Sequence, residues 1–127
     1  MPRRFAHCVA TPTGSSLGVA GNSVTDVVPG VPHHITQRGV RRMDVFFTDD
    51  DRKEYLSQLR VQGERFGVRY LAWCLMTNHI HLVAVPHDEK SMAKAIGAAH
   101  KRYSRMISFR DESRHELHGN SQAAQHR

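Results

Sequence analysis

Two short apolar runs separated by only two residues constrain the fold of this chain more than any other feature. Residues 68–76 are rich in β-branched, aromatic and aliphatic side chains, and a second such run, residues 79–85, ends before Pro86. Runs of this length, bounded by turn residues, are typical of β-strands. Because only Thr77 and Asn78 connect them, we expect the two strands to pair antiparallel through a tight turn.

A helix is predicted on each side of this pair of strands. The first covers about residues 52–66, since three aspartates at 49–51 supply an N-cap and a negative first turn and Gly67 ends the periodic pattern. The second begins near residue 90 or 91 and continues to about residue 108. Its apolar side chains recur at intervals of three and four positions, which are Met92, Ile96, Ala99, Tyr103 and Met106.

A further strand is predicted before the first helix, over residues 32–39, where His34, Thr36 and Arg38 share one face. His34 and Thr36 could therefore approach a site that includes Arg38, although ordinary structural roles are favoured for both. The order β-α-β-β-α is most of a ferredoxin-like split βαβ unit, which is an α+β fold with two helices on one face of an antiparallel sheet. No convincing final edge strand follows the second helix, so the unit is expected to lack one.

The length of the chain favours a single domain, which we place at residues 31–110. Residues 1–30 contain clusters of Thr, Pro, Gly and Ser without a period of 2 or 3.6 and are predicted to form a flexible N-terminal arm. Residues 111–127 are polar and are predicted to form a frayed C-terminal tail.

The charge of the chain points to an anionic partner such as nucleic acid. Lys and Arg number 18 against 12 Asp and Glu, which gives a formal net charge of +6, and residues 90–110 contain six basic residues and no acidic one. No uncharged apolar run approaches the roughly 18 residues that a bilayer crossing needs, so a membrane partner is not expected. Cys8 and Cys74 are far apart in sequence, and free thiols agree with a cytoplasmic location.

The most informative motif is His79-Ile80-His81. On a strand the two histidines project from the same face, and two adjacent imidazoles can hold a divalent ion such as Mn, Fe, Ni, Cu or Zn. Mg can share such a site where water and phosphate oxygens complete its coordination. The spacing alone, in a chain with ten histidines, favours strand histidines that make ordinary hydrogen bonds.

Tyr103 lies on the apolar stripe of the second predicted helix, which is expected to face the sheet that carries the two histidines. A phenol can act as a covalent nucleophile, and phosphodiester cleavage needs an attacking oxygen and a cation that neutralises the phosphate. Helical spacing alone nevertheless favours a core aromatic at this position.

Taken together, the motifs resemble the single-tyrosine HUH (IS200-like) transposase family. His79-Ile80-His81 resembles the HUH signature (His, hydrophobic, His), and residues 73–83, WCLMTNHIHLV, are similar to the branch of REP-associated tyrosine transposases. The resemblance covers about residues 28–110. Three further segments resemble the first strand, the following turn and the nucleophile helix of this branch, which are residues 28–39, 44–47 and 100–107.

The resemblance implies a transposase activity with specific residue roles. His79 and His81 would bind Mg or Mn, and Tyr103 would attack a phosphate of single-stranded DNA, forming a 5′-phosphotyrosine and leaving a free 3′-OH. Typical substrates of the branch are hairpins of repeated extragenic palindromes. The sequence does not decide between a monomer and a homodimer. Contacts to DNA phosphates are expected from Arg38, Arg41, Arg42, Lys94, Lys101, Arg102 and Arg105.

The sequence departs from the family pattern in and after the nucleophile helix. Ile107 and Ser108 stand where relatives supply a third metal ligand, and residues 116–120 do not resemble the segment that forms a further strand in relatives. Two rival hypotheses therefore stay open. One is a catalytically inactive nucleic-acid-binding module of the same fold, and the other is a metal-binding or structural protein in which the motif is incidental.

Overall fold

The computed structural model describes residues 4–5, 9–12 and 27–125, and for residues 9, 11 and 114–125 it describes only the backbone. The predicted strands and helices are all present in the predicted order. One additional strand, β1, precedes them. The elements are β1 (Val9–Pro12), β2 (His33–Arg38), a short 3-10 turn (Val40–Arg42), α1 (Asp49–Phe66), β3 (Val68–Leu75), β4 (His79–Pro86) and α2 (Ser91–Gln125).

The four strands form one antiparallel sheet in the order β1-β2-β4-β3. The expected α+β fold is therefore confirmed, and β3 and β4 are adjacent as their short connection predicts. The strand β4, which carries the histidine motif, lies in the interior of the sheet between β2 and β3. In its register with β2, His81 is opposite Thr36 and His79 is opposite Arg38.

The edge of the sheet next to β2 is occupied by β1, which the sequence did not predict. A four-residue strand is too short to show a period of 2, and the turn-forming residues around it hide it further. This strand and the buried side chain of Phe5 fall inside the predicted arm, residues 1–30, so these parts of the arm belong to the fold. Most of the arm, residues 1–3, 6–8 and 13–26, lies outside the described residues.

The hydrophobic core lies between the two helices and one face of the sheet. Ile80 and Leu82 of β4 point into it together with Tyr55 and Leu59 of α1 and Ile96 of α2, and each is at most 5 % exposed. Burial of one such side chain contributes roughly 1.5 to 3 kcal/mol. The apolar stripe predicted for the second helix is therefore its core-facing side.

The helix α1 begins with a capping box. The Thr48 hydroxyl accepts a hydrogen bond from the Asp51 backbone N–H, and the Asp51 carboxylate accepts one from the Thr48 N–H. Asp51 also forms an ion pair with Arg110 of α2, which joins the two helices. At the other end Gly67 has a φ of 83°, the left-handed conformation that glycine favours at the end of a helix.

The helix α2 extends beyond its predicted end near residue 108, and its backbone is helical through Gln125. The predicted end marked the point where the apolar stripe stops. The Arg and Glu residues that follow are good helix formers, and the ion pairs Arg110–Asp51 and Arg4–Asp111 hold the start of this extension against the rest of the fold. Residues 126–127 of the predicted tail lie outside the described residues.

Within the described part of the chain, neither helix is apolar enough over a sufficient length to cross a bilayer.

Candidate metal and nucleic-acid site

The two histidines of the motif lie on the face of the sheet that neither helix covers, which we call the open face. Along β4, His79 and His81 are partly exposed, whereas Ile80 and Leu82 are buried under the helices. Strand side chains alternate between faces, so the fold places both imidazoles together on one side. Their ring centroids are 5.3 Å apart and the rings are nearly perpendicular. The predicted projection of both histidines from one face is confirmed.

The His79 ring is oriented by its neighbour in the chain. Its Nδ1 lies 2.8 Å from the amide oxygen of Asn78. Because that oxygen can only accept, Nδ1 carries the proton and Nε2 keeps a free lone pair. A metal-ligating histidine characteristically donates its second ring N–H to such an oxygen. The contact with Asn78 therefore leaves Nε2 of His79 available to a ligand.

The His81 ring is held by side chains of β2. Its Nδ1 lies 3.0 Å from Nε2 of His34 and 3.5 Å from the Thr36 hydroxyl, and the His34 and His81 rings stack with centroids 5.2 Å apart. When Nδ1 of His81 donates to Nε2 of His34, Nε2 of His81 keeps its lone pair for a ligand. Sequence reasoning allowed His34 to approach the site but favoured a structural role for it. The signal was its position on the same face as Arg38, but only the strand register shows that it meets His81.

The donor set of the open face fits a hard divalent ion that keeps part of its hydration shell. Among the described residues, no group of three or more His, Cys, Asp and Glu side chains is arranged to hold a metal. The protein would supply two imidazoles, His79 and His81, and water and phosphate oxygens would complete the coordination. Mg and Mn accept this arrangement.

Three arginines lie next to the histidines. Arg38 ends β2 opposite His79, and Arg41 and Arg42 follow in a turn where both have a left-handed φ, 56° and 60°. The turn packs against the β3–β4 connection, since the Gly39 N–H donates to the Asn78 carbonyl at 2.8 Å. All three arginine side chains are exposed. Left-handed backbone in a non-glycine residue costs roughly 1 to 2 kcal/mol, so the fold holds these cations here against local strain.

Tyr103 does not meet the histidines. Its side chain is fully buried on the helix-covered face of the sheet, packed against the rings of Phe46 and Tyr55, and its hydroxyl donates to the Val45 carbonyl at 2.5 Å. Burial raises the pKa of the phenol above its usual range, and the nearby Asp51 carboxylate raises it further. A phenol in this position is a poor nucleophile and has no path to the open face.

The resemblance expects Tyr103 to attack a phosphate held at His79 and His81, whereas in this structure the phenol and the imidazoles lie on opposite faces of the sheet. The second helix does face the sheet, as its apolar stripe predicts. It covers the face opposite to the histidines, because Ile80 rather than His79 or His81 supplies the apolar contact. The reading that spacing alone favours for Tyr103, a core aromatic, matches its position.

The basic residues predicted to bind DNA are divided between the two sides of the sheet. Arg38, Arg41 and Arg42 lie beside the open face, whereas the cations of α2 project outward from the helix layer. Those helix cations are Lys94, Lys101, Arg102 and Arg105, and all are exposed. At the two positions where the family pattern places a third metal ligand, Ile107 is fully buried and the Ser108 hydroxyl oxygen is shielded from solvent.

Comparison with known proteins gives one family. The family described as "Transposase IS200 like" matches residues 28–123, which is well over half of the chain. Comparison with curated proteins gives no significant match, and comparison with solved structures gives none. The match includes the arginine turn, the histidine strand and both helices, and it indicates a DNA substrate and a DNA-cleaving activity. The chain belongs to the IS200-like transposase family.

Proposed function

We propose that the open face binds single-stranded DNA and that His79 and His81 hold a divalent ion, Mg or Mn, at one of its phosphates. The observation that carries this proposal is the pair of imidazoles whose Nδ1 atoms are engaged by Asn78 and by His34, with both Nε2 atoms left for a ligand. When bound, such an ion polarises a phosphate and offsets charge on the oxygen that leaves.

The residues of the chain would bind and orient the DNA around this point. Arg38 lies across from His79 on the adjacent strand, so its guanidinium is within reach of a phosphate that neighbours the one at the histidines. Arg41 and Arg42 extend the positive surface along the same edge. Affinity should therefore fall steeply as salt concentration rises, because each phosphate contact releases a counterion.

The 5′-phosphotyrosine step is a separate hypothesis, and the position of Tyr103 bears on it directly. Attack by this residue would require its hydroxyl to leave the Val45 carbonyl and the helix to move away from the core. The buried phenol favours a second candidate function, a nucleic-acid-binding module of the transposase fold that does not cleave DNA through Tyr103.

We also propose that the chain belongs to the REP-associated branch and recognises hairpin DNA, on the strength of residues 73–83. A homodimer would be one way to bring a nucleophile from another subunit to the open face. A monomer would bind the hairpin without a nucleophile from a second subunit.

The test is to measure binding of a labelled single-stranded hairpin with and without Mn by fluorescence anisotropy. We expect Mn to strengthen binding by the wild-type protein, and we expect His79→Ala combined with His81→Ala to remove the effect of Mn. His87→Ala is the matched control, because His87 is exposed in the loop after β4 and is not part of the cluster. Binding that depends neither on Mn nor on the two histidines would contradict the proposal.

A denaturing gel of the same mixtures tests the phosphotyrosine hypothesis. A DNA-linked protein band that Tyr103→Phe abolishes would establish Tyr103 as the nucleophile and would show that the core opens around it. Mn-dependent binding without any such band would establish the second candidate function.

A further inference from the structure

A groove lies on the opposite side of the sheet from the histidines, between α1 and the edge strand β3. Its volume is about 570 Å³, and its wall is formed by one side of α1. Apolar side chains line much of it, among them Leu56 and Trp73. The cations Lys53 and Arg60 of α1 also line it. None of these four side chains has a role in the open-face site.

The charge around the groove is mostly positive and is not neutralised. Lys53 and Arg60 are seven residues apart, so they lie on the same side of α1, about 10 Å from each other along the helix axis. Neither cation forms an ion pair with a described residue. Glu64 is the one acidic residue among those that line the groove.

Trp73 gives this groove an aromatic surface that solvent can reach. Its side chain is 54 % exposed, although Trp73 lies opposite the buried Leu82 and therefore on the helix side of the sheet. An exposed aromatic ring beside unpaired cations is the combination by which proteins bind single-stranded nucleic acid, since bases stack on the ring and phosphates contact the cations.

The edge strand connects the groove to the open face. Cys74 follows Trp73 and pairs with His81, so these two consecutive residues of β3 point to opposite faces of the sheet. In the described part of the chain no strand lies beyond β3. Because adjacent strands are only about 4.8 Å apart, a nucleotide chain can pass from the histidines of β4 over the edge of β3 to the groove.

We infer that this groove binds bases of the same single-stranded DNA whose phosphate lies at the histidines. One or more bases would stack on Trp73, with Lys53 and Arg60 contacting the phosphates on either side. The inference rests on the proposed function, because it takes the DNA at the open face as its starting point.

Trp73 is the single tryptophan of the chain, so its fluorescence reports on this groove alone. The experiment is a titration of the full chain with an oligothymidylate at low salt, followed by tryptophan emission and, in parallel, by the anisotropy of a labelled copy of the same oligonucleotide. We expect DNA to quench the emission over the concentration range in which anisotropy rises. A duplex of the same length should quench far less, because its bases are already stacked.

Two variants and their matched controls separate stacking from charge. Trp73→Ala should weaken binding about 10-fold by anisotropy, and a Lys53→Gln, Arg60→Gln double variant should weaken binding while it retains the tryptophan. Phe109→Ala removes another exposed aromatic, 72 % exposed on α2, and should leave binding unchanged. Arg65→Gln removes an exposed cation of α1 that packs over Phe66, and should also have no effect.

Each remaining outcome overturns the inference in a recognisable way. Binding detected by anisotropy without quenching would exclude the groove as a DNA-binding site and leave the open-face proposal intact. Absence of any binding would contradict both proposals. Emission that changes with protein concentration in the absence of DNA would show that a second copy of the chain occupies the groove. Far-UV circular dichroism of Trp73→Ala establishes that a loss of binding is not a loss of fold.

Discussion

The two faces of the sheet differ in the burial and the hydrogen-bond partners of their polar side chains. On the helix-covered face Tyr103 is fully buried, and its hydroxyl is committed to one backbone carbonyl, that of Val45. On the open face His79 and His81 remain partly exposed and each keeps one ring nitrogen without a protein partner in the contacts described above. Residue types with matching chemistry therefore do not form a site unless strand alternation places them on the same face.

The difference arises within three consecutive residues of β4. A one-residue change in parity moves every side chain of a strand to the other face. Ile80 packs against the helices, and the imidazoles on either side of it therefore point away from Tyr103. A phosphate bound at the histidines and the phenol are separated by the sheet itself.

The largest expected effect is the loss of stability on truncating the buried phenol. Tyr103→Ala should lower the free energy of unfolding by about 3 to 5 kcal/mol, because it leaves a cavity among Phe46, Tyr55 and their neighbours. Tyr103→Phe should cost less, roughly 1 to 3 kcal/mol, since it leaves the Val45 carbonyl without its donor. Urea denaturation measures both. A Tyr103→Ala protein as stable as wild type would mean that the ring is not in the core.

Burial of a histidine under the helices predicts that stability depends on pH. His100 stacks on Phe5 with ring centroids 4.0 Å apart, and burial lowers the pKa of His100 to about 3. Between its ordinary value of 6.5 and about 3, the unfolded chain binds a proton that the folded chain does not. Stability should therefore be lost as the pH falls below 6.5, by at most about 1.4 kcal/mol per pH unit from this group.

Replacement of this imidazole by a neutral amide checks that prediction. His100→Gln should flatten the fall of unfolding free energy between pH 6.5 and 4.5, whereas His87→Gln, an exposed histidine, should leave the slope as it is in wild type. Equal slopes in all three proteins would show that His100 is as accessible to protons in the folded chain as in the unfolded one.

A smaller effect is expected on the open face from the residue that holds His81. His34→Ala removes the contact to Nδ1 of His81 without removing a ligand, and loss of such a supporting contact typically weakens metal binding 10- to 100-fold. We expect a decrease of about 10-fold in Mn affinity by isothermal titration calorimetry, with unchanged stability. Affinity equal to that of wild type would show that His81 needs no support from β2.

The sequence predicted the secondary-structure elements better than the contacts between them. The apolar periods of α1 and α2 and the paired strands β3 and β4 follow from local patterns, and so does the common face of His79 and His81. Helical spacing alone also favoured a core position for Tyr103, whereas the resemblance favoured a nucleophile. The alternation within β4 indicates which face the helices cover, since the apolar stripe of α2 packs on the side of Ile80 and Leu82 and therefore away from the histidines.

Other features were out of reach of the sequence because their signals are short or nonlocal. The strand β1 has four residues, and Phe5 is a single aromatic in a segment rich in turn residues, yet one pairs with β2 and the other packs on His100. The contact between His34 and His81 joins residues 47 positions apart through the register of two strands. The groove at Trp73 likewise needs α1 and β3 to be placed side by side.

Titration of Mn into three proteins tests whether the histidines of the open face bind a metal ion without the participation of Tyr103. Wild type and Tyr103→Phe should bind Mn with the same affinity, and the His79→Ala, His81→Ala double variant should bind at least 100-fold more weakly. Retention of Mn affinity by the double variant, or an equal loss in Tyr103→Phe, would contradict the account.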